Sequence, residues 1–344
     1  MSDSRQPSPR IGHVRHRVQE RVWSLVERIS DTRHGLYGLA VLRVGYGLIL
    51  LGVLLVNHGD RRLLWGPESP WTKDLFTERL AEKDTFSLFA LADSDVRFDL
   101  LYHAFVILAV LFALGWRTRW VTPVLVVMLW SWRERQPWLL DGGDDVMLLV
   151  LIYLCFADLS ARWSMDARRA KRRAGNGAAE PVAAPANDLR WRMATILHNS
   201  ALLAVLVQVC IIYVDTGLLK VRGELWQEGT ALYYILHVED IQPFPGLSRA
   251  VYDNMFLVIL GSYAAVFLQL SFPLLMLNRV TRALGLIAVT GMHLGIGLLM
   301  GLVSFSLIMI ATDLLFIRDS TYERFACFVR TARMRHLRHA MSST

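Results

Sequence analysis

Long apolar runs separated by shorter polar stretches dominate this chain. Several extend over about 20 residues, the length of α-helix that crosses the hydrocarbon core of a bilayer. The stretch 283–317 would extend on the order of 50 Å as one helix, so two short spans with a turn near 300–304 fit it better. The pattern predicts an all-α fold, a polytopic membrane helical bundle with about eight transmembrane helices. The predicted spans are 36–56, 100–116, 120–132, 146–159, 193–214, 255–277 and two within 283–317.

An N-terminal amphipathic helix is predicted over residues 11–30. Apolar side chains recur there three or four positions apart, while Arg15, Arg17 and Arg21 lie on other faces. Such a helix either rests on lipid headgroups or packs as an ordinary cytosolic helix, and the interfacial position is favoured.

Composition and charge support a multi-pass membrane protein. Hydrophobic residues make up 54% of the chain, and the mean hydropathy is +0.36. The net charge of +7 comes from basic residues at the edges of apolar runs and in the tails, which places both termini in the cytoplasm of a plasma (inner) membrane and argues against nucleic acid as a partner. Membrane lipids are the expected surroundings. The predicted organisation is a cytoplasmic segment 1–35, a transmembrane domain 36–317 with a cytoplasmic linker at about 162–192, and a basic cytoplasmic tail 318–344.

Several function classes lose support from missing motifs. The sequence has no phosphate-binding loop, no zinc-protease or serine-hydrolase motif, and three cysteines without metal-ligand spacing, so no metal site is expected. The sequence has no clear internal repeat, so it gives no support to an inverted-repeat transporter. A cleavable signal peptide is not expected, because the charged segment 1–35 precedes the first apolar run.

Two polar stretches are expected on the outer side. The acidic loop 57–99 should lie outside the cytosol, and stretch 133–145 should lie in water or line a cavity. The aromatic residues of the first loop are expected in a layer at the membrane interface. They are Trp65, Trp71, Phe76, Phe86 and Phe89.

Lys220, where the fifth span ends, is the main candidate for chemistry. An ammonium beside hydrocarbon is costly, so a lysine there is retained by a partner, by exposure, or by chemistry that uses its neutral form. Asp215 and Glu224 are close enough in sequence to form a structural ion pair with it, which is the simpler interpretation of the lysine alone.

Arg43 and His293 are further ionisable residues inside predicted spans. Arg43 can extend to the interface or pair with a carboxylate, and the glycines around it favour pairing within the bundle. His293 lies between two overlapping G-x-x-x-G spacings and is either a functional residue or a neutral histidine bonded between helices. For Asp313, an interhelical hydrogen bond or exposure at the interface is the default expectation.

Three stretches together resemble the bacterial HTTM family, which is related to the membrane region of vitamin K-dependent gamma-glutamyl carboxylase. The resemblance covers roughly 36–317, with further similarity at Phe272-Pro273-Leu274-Leu275 and in the region from His293 to Leu315. The three stretches are Leu114-Gly115-Trp116-Arg117-Thr118-Arg119, Asp141-Gly142-Gly143-Asp144, and Tyr213 through Gly217-Leu218-Leu219-Lys220 to Trp226, Gly229 and Thr230.

The resemblance implies roles for particular residues. Lys220 matches the proposed base that activates a vitamin K hydroquinone, whose oxygenation yields the strong base for proton removal and CO₂ addition. His293 is the second candidate catalytic residue. The resemblance further suggests a cofactor-binding set and a substrate or network set. The first set is Tyr213, Trp226, Gly229 and Thr230, and the second is Arg43, Glu134, Asp141, Asp144 and Glu224.

The chain departs from the carboxylases in two respects. The stretch Arg133-Glu134-Arg135-Gln136-Pro137 stands where the carboxylases have Asn-Asn-His, and no large lumenal domain follows the membrane region. Other bacterial members resemble a membrane protein needed to mature a secreted sporulation-delaying peptide toxin. The leading hypothesis is therefore a membrane protein that modifies or matures an exported peptide or protein, together with an accessory protein, with Lys220 as base near a quinone-like pocket. The alternative is a non-catalytic scaffold or exporter for such a partner.

Overall fold

The chain folds into a bundle of helices in a computed structural model that describes residues 30–174, 188–328 and 331. No strand occurs in these ranges. The α-helices are α1 (Leu36–Val56), α2 (Arg61–Leu64), α3 (Lys73–Glu82), α4 (Asp95–Leu114), α5 (Thr118–Arg135), α6 (Gly142–Leu154), α7 (Met165–Ala174), α8 (Leu189–Arg222), α9 (Glu224–Gln227), α10 (Ala231–Ile235), α11 (Pro245–Tyr252), α12 (Met255–Leu275), α13 (Arg279–Leu299) and α14 (Val303–Asp313). Short 3-10 helices cover Leu88–Leu91, Pro137–Leu139, Glu239–Ile241 and Leu314–Phe316.

Five helices are long and apolar enough to cross a membrane, namely α1, α4, α8, α12 and α13. This confirms the predicted all-α membrane protein. The other three helices in predicted spans are shorter, with 18 residues in α5, 13 in α6 and 11 in α14. The count of eight crossings therefore stays a prediction.

The stretch 283–317 is broken into two helices, as its length predicted. Helix α13 ends at Leu299 and α14 begins at Val303. Between them Gly301 has φ +71, a left-handed conformation that glycine adopts without the cost of a side chain. The two helices pack against each other as a hairpin.

Helix α14 lies at the centre of the bundle. It packs against α1, α6 and α13, while successive helices along the chain pack as neighbours: α4 on α1, α5 on α4, α6 on α5, α8 on α6, α12 on α8 and α13 on α12. Burial of apolar side chains from all of these helices makes one continuous core. Three polar residues of α14, namely Ser306, Thr312 and Asp313, are buried in the protein.

The bundle has two distinct ends. One end carries segments 57–94 and 223–254, and we call it the loop end. At the other, Asp319 accepts hydrogen bonds from the backbone N–H groups of Leu36 and Tyr37, and Arg33 forms an ion pair with Asp158. We call this the basic end, because α7 and its arginines lie there.

Helix α8 is longer than the bundle. His198 bonds to the N–H of Asp158 and the carbonyl of His34, so this residue marks the level of the basic end. Residues 189–197 extend beyond it, with Leu189 and Met193 exposed. The remaining part of α8 reaches the loop end at Lys220 and Arg222.

The expected interfacial layer of aromatic residues is wrong for three of its five members. Trp65, Phe76 and Phe89 are buried in the protein core instead of forming a layer at the membrane interface. The first loop folds over the bundle, where Trp65 stacks on Trp132 with 4.1 Å between ring centroids. An aromatic ring is equally well accommodated in a protein core and at a membrane interface, so composition could not distinguish these two environments.

The expectation for stretch 133–145 is confirmed at Leu139, Leu140, Asp141 and Asp144, which line a cavity. The stretch 133–136, by contrast, is not a loop. It is the end of α5 and the following residue, and Glu134, Arg135 and Gln136 are buried. Arg135 donates to the carbonyls of Trp71 and Gly66, which ties the first loop to α5. These bonds pair the Arg135 guanidinium inside the protein, whereas Glu134 Oε2 and Gln136 Oε1 are buried without a hydrogen-bond partner among the described residues.

Several predictions fall on residues outside the described ranges. The amphipathic helix at 11–30 lies there almost entirely, and so do 175–187 of the linker and most of the basic tail. The described part of the linker contains α7, and a helix begins at Asp319 in the tail.

Candidate functional site

A buried polar group of three side chains lies where α8, α13 and α14 meet. The hydroxyl of Tyr213 is 2.7 Å from Asp313 Oδ2 and 2.9 Å from His293 Nε2. All three side chains are almost fully buried, at 1%, 1% and 2% exposure for Tyr213, Asp313 and His293. Buried polar groups of this kind are retained when they are bonded to each other, and each bond here joins two different helices.

The single phenol hydrogen fixes the direction of these bonds. Tyr213 donates to Asp313, so its oxygen accepts from His293, which must carry its proton on Nε2. Nδ1 of His293 is then an acceptor, and it has no partner among the described residues. Asp313 Oδ1 is likewise buried and without a donor from the described part of the chain. The group therefore presents two unpaired acceptors.

The depth of this group follows from its neighbour Thr312. Thr312 bonds to the hydroxyl of Tyr46 at 2.6 Å, and Tyr46 is the middle residue of α1. Asp313 consequently lies about halfway along a membrane-spanning helix. A carboxyl at that depth is costly and is commonly functional in membrane proteins.

Lys220 lies at the loop end of α8 and is half-buried. Its ammonium is 5.2 Å from the centroid of the Trp226 ring, a distance that permits cation–π attraction. Within the described ranges it has neither an ion pair nor a hydrogen bond. The ion pair with Asp215 or Glu224 is absent there, and both carboxylates are exposed.

Lys220 and Tyr213 lie on the same side of α8. Seven residues separate them, which is close to two helical turns or about 10 Å along the axis. Tyr213 is therefore the member of the buried group nearest to Lys220 along this helix. The described contacts do not include one between Lys220 and His293, so the two predicted catalytic residues are brought into the same region without touching.

The four predicted cofactor-binding residues lie in three different places. Tyr213 belongs to the buried group, and Trp226 faces Lys220. Gly229 has φ +72 and packs against Tyr263, where a Cβ would lie 3.0 Å from the ring. Thr230 bonds to the carbonyl of Leu225 and precedes α10. Gly229 and Thr230 thus form the turn that follows Trp226.

Arg43 is buried at the basic end, and the favoured ion pair with a carboxylate is wrong. Its Nη2 donates to the carbonyl of Trp163 at 2.7 Å, and no carboxylate oxygen lies within ion-pair distance in the described ranges. The guanidinium occupies the space beside Gly115, where a Cβ would overlap it. Arg43 therefore joins α1 to the turns after α4 and α6.

The other predicted network residues are at the loop end. Glu134 lies 3.7 Å from Arg79 and 3.5 Å from Arg133, and Glu224 is exposed at the start of α9. Asp141 caps α6 by accepting from the N–H groups of Gly143 and Asp144, and the Asp144 side chain returns the bond to the Asp141 N–H. Ser304 donates to Asp141, which links α6 to α14.

Asp313 is the functional candidate that sequence reasoning missed, together with Thr312 and Tyr46. The sequence predicts an interhelical hydrogen bond or exposure at the interface for Asp313, and its bond to Tyr213 confirms the first alternative without indicating a functional role. Periodicity could not indicate its partners, because Tyr213 is 100 residues away in sequence.

Residues 186–320 match the family model of the HTTM domain. The chain carries an HTTM domain. This domain is shared with the membrane region of vitamin K-dependent carboxylase. The match is narrower than the 36–317 expected from the resemblance, and it contains all of Tyr213, Lys220, His293 and Asp313.

The chain is also similar to a protein of Bacillus subtilis (strain 168) named "Uncharacterized protein YitO". The two are 25% identical over 297 residues, which cover 83% of this chain and 87% of that protein. No solved structure matches the chain. The HTTM match covers residues 186–320 and leaves activity to be argued from the site.

Proposed function

We propose that this protein is a membrane-embedded enzyme, or the membrane subunit of one, that modifies or matures an exported peptide or protein. In this proposal Lys220 is the base and the HTTM domain holds a quinol-type cofactor. The substrate is reached from the outer side of the plasma (inner) membrane, both termini are cytoplasmic, and an accessory protein takes part.

One observation carries the proposal: Lys220 is half-buried at the end of a span with no carboxylate to neutralise it in the described ranges. Of the three ways to retain a lysine in that position, namely a partner, exposure or chemistry, the ion-pair partner is absent among the described residues. Here its ammonium faces Trp226, on the side of α8 that also carries Tyr213. In its neutral form, an unpaired lysine two helical turns from a buried group of proton donors and acceptors can remove a proton from a substrate that lies between them.

The buried group fits a quinol headgroup in one respect. His293 Nδ1 and Asp313 Oδ1 are unpaired acceptors, and a hydroquinone offers two hydroxyl donors. These two residues would hold the headgroup, and Tyr213 fixes both by its bonds to them. When bound, a hydroquinone supplies the reducing equivalents that generate a strong base with oxygen. The protein's own contribution is to orient the headgroup and to exclude water at mid-membrane depth.

The test compares exported peptides by mass spectrometry in the native host. Strains would carry the wild-type gene, a deletion, or Lys220→Gln, Lys220→Arg or Lys220→Ala. We expect a peptide whose mass or cleavage depends on the wild-type gene and is lost in all three variants. Arg222→Gln is the matched control, because it removes an exposed cation two residues away. Unchanged product in all three Lys220 variants would remove the lysine from the mechanism.

A non-catalytic scaffold or exporter is the second candidate, and one surface favours it. Helix α8 lines an apolar cavity of about 490 Å³ together with Pro273 and Phe316, and the exposed carboxylate of Asp215 lies in it. A partner helix with a polar or basic side chain would suit this surface. Co-purification of an exported peptide without any mass change, unaffected by Lys220→Gln, would favour this candidate.

A further inference from the structure

A second cavity lies at the loop end, separate from the buried group of Tyr213. It has a volume of about 260 Å³ and is enclosed by α1, α5, α6, α14 and the first loop. Pockets for drug-sized molecules are roughly 300–1,000 Å³, so this one has room for a side chain or a chain end. Its lining is mostly apolar, with four polar residues: Asn57, Asp141, Asp144 and Ser304.

The cavity carries negative charge without a cation of its own. None of the described residues that line it is Lys, Arg or His. The nearest arginines on α5 are used elsewhere: Arg133 pairs with Asp145, and Arg135 donates to backbone carbonyls of the first loop. Asp141 accepts from Ser304 and the helix N-terminus, and no described group donates to Asp144 Oδ1. A cationic ligand would complete this arrangement.

The two tryptophans that line the cavity favour an organic cation over a metal ion as its ligand. Trp65 and Trp132 both line the cavity and stack on each other. Tryptophan faces attract ammonium groups, and apolar walls favour the carbon atoms that carry such a group. The indole N–H of Trp65 is buried and has no acceptor among the residues described. A ligand that adds a carbonyl next to its cation would satisfy this donor too.

We propose that this cavity binds a primary ammonium carried by a peptide, with Asp141 and Asp144 as the anionic contacts and Trp65 as the donor to an adjacent carbonyl. The ammonium is either the amino terminus or a lysine side chain. The inference deepens the proposed function, since it rests on an exported peptide as substrate and names the feature by which the loop end recognises it. The binding step itself requires neither Lys220 nor a quinol.

Isothermal titration calorimetry on the full chain in dodecyl maltoside tests the proposal, because this detergent carries no charge. The probes are Leu-Leu-amide, which has a free amino terminus, its N-acetylated form, and N-acetyl-lysine-amide. We expect Leu-Leu-amide or N-acetyl-lysine-amide to bind at least about tenfold more tightly than the acetylated dipeptide. Tighter binding of Leu-Leu-amide would identify the amino terminus as the ligand, and tighter binding of N-acetyl-lysine-amide would identify the lysine side chain. Equal binding of the acetylated dipeptide, or no binding of either amine, would overturn the proposal.

Variants then locate the site. Asp144→Asn and Asp141→Asn should each weaken amine binding by at least about tenfold, and asparagine at position 141 preserves the helix cap. Asp145→Asn is the matched control, since Asp145 is on the same turn but exposed and outside the lining. An equal loss in Asp145→Asn would point to nonspecific charge attraction and contradict the assignment. Lys220→Gln should bind the amine as the wild type does, so failure of the catalytic proposal is distinguishable from failure of this one.

Discussion

The hydroxyl of Tyr213 donates to Asp313 across 100 residues of sequence, at 2.7 Å and at about the middle of the bundle. This bond joins α8 to the central helix α14. It also sets the direction of the bond to His293, because a phenol has one hydrogen to give. Three helices are thereby held together through one oxygen atom.

Removing that oxygen should destabilise the protein. Tyr213→Phe would leave Asp313 Oδ2 and His293 Nε2 buried without their partner, at a cost of roughly 1–3 kcal/mol. We expect a lower apparent melting temperature in detergent. Tyr263→Phe is the control, since the Tyr263 hydroxyl bonds to the Gln227 carbonyl at a more exposed position. A Tyr213→Phe protein as stable as the control would show that the buried bond contributes little.

Gly115 should tolerate no side chain. Its φ of +67 disfavours other residues by roughly 1–2 kcal/mol, and a Cβ would overlap the Arg43 guanidinium. Gly115→Ala should therefore lower the melting temperature by more than the backbone cost alone. Gly52→Ala is the matched control, because no atom lies within 4 Å of its Cβ position and alanine is favoured in a helix by up to about 1 kcal/mol. Equal behaviour of the two variants would contradict the position of Arg43.

Asp319 should stabilise the start of α1. It accepts from the N–H groups of Leu36 and Tyr37, which have no partner within the helix itself. Asp319→Ala should cost about 1 kcal/mol, and Asp319→Asn should retain part of the stability, because its amide oxygen can replace one of the two accepting oxygens. Hydrogen exchange at the first turn of α1 would measure the difference. Protection that is the same in Asp319→Ala and the wild type would contradict the capping role.

The sidedness of the bundle can be tested by labelling. In a variant without the native cysteines, a cysteine at Glu82 of the loop end should react with a membrane-impermeant thiol reagent added to intact cells. A cysteine that replaces Arg168 at the basic end should react with the same reagent only after the cells are lysed. Both positions are exposed in the structure, so accessibility of the side chain does not separate them. The reverse labelling pattern would invert the proposed topology.

The sequence predicted the helices well, because apolar runs of membrane-crossing length have few alternative structures. The break between α13 and α14 followed from length alone. His293 was predicted as a site residue because polar groups inside spans are rare and costly, and Tyr213 was predicted from the resemblance to the HTTM family. The sequence could not join them to Asp313, which requires knowing that α8, α13 and α14 are neighbours.

Predictions failed where two environments satisfy the same side chain. Arg43 was expected beside a carboxylate and instead bonds to the Trp163 carbonyl, because a backbone oxygen near a helix end accepts from an arginine as well. Trp65 was expected at the lipid interface and instead stacks on Trp132. In both cases the partner comes from a distant part of the chain, and residue type alone does not identify it.

An experimental density map of the purified full chain tests the central claim most directly, namely that Lys220 is unpaired and works with the buried group of Tyr213, His293 and Asp313. The account predicts Lys220 Nζ farther than 4 Å from every carboxylate, and density for a bound molecule that reaches from Lys220 towards His293 Nδ1 or Asp313 Oδ1. An ion pair between Lys220 and Asp215 or Glu224, with both acceptors of the buried group bonded to protein, would contradict it.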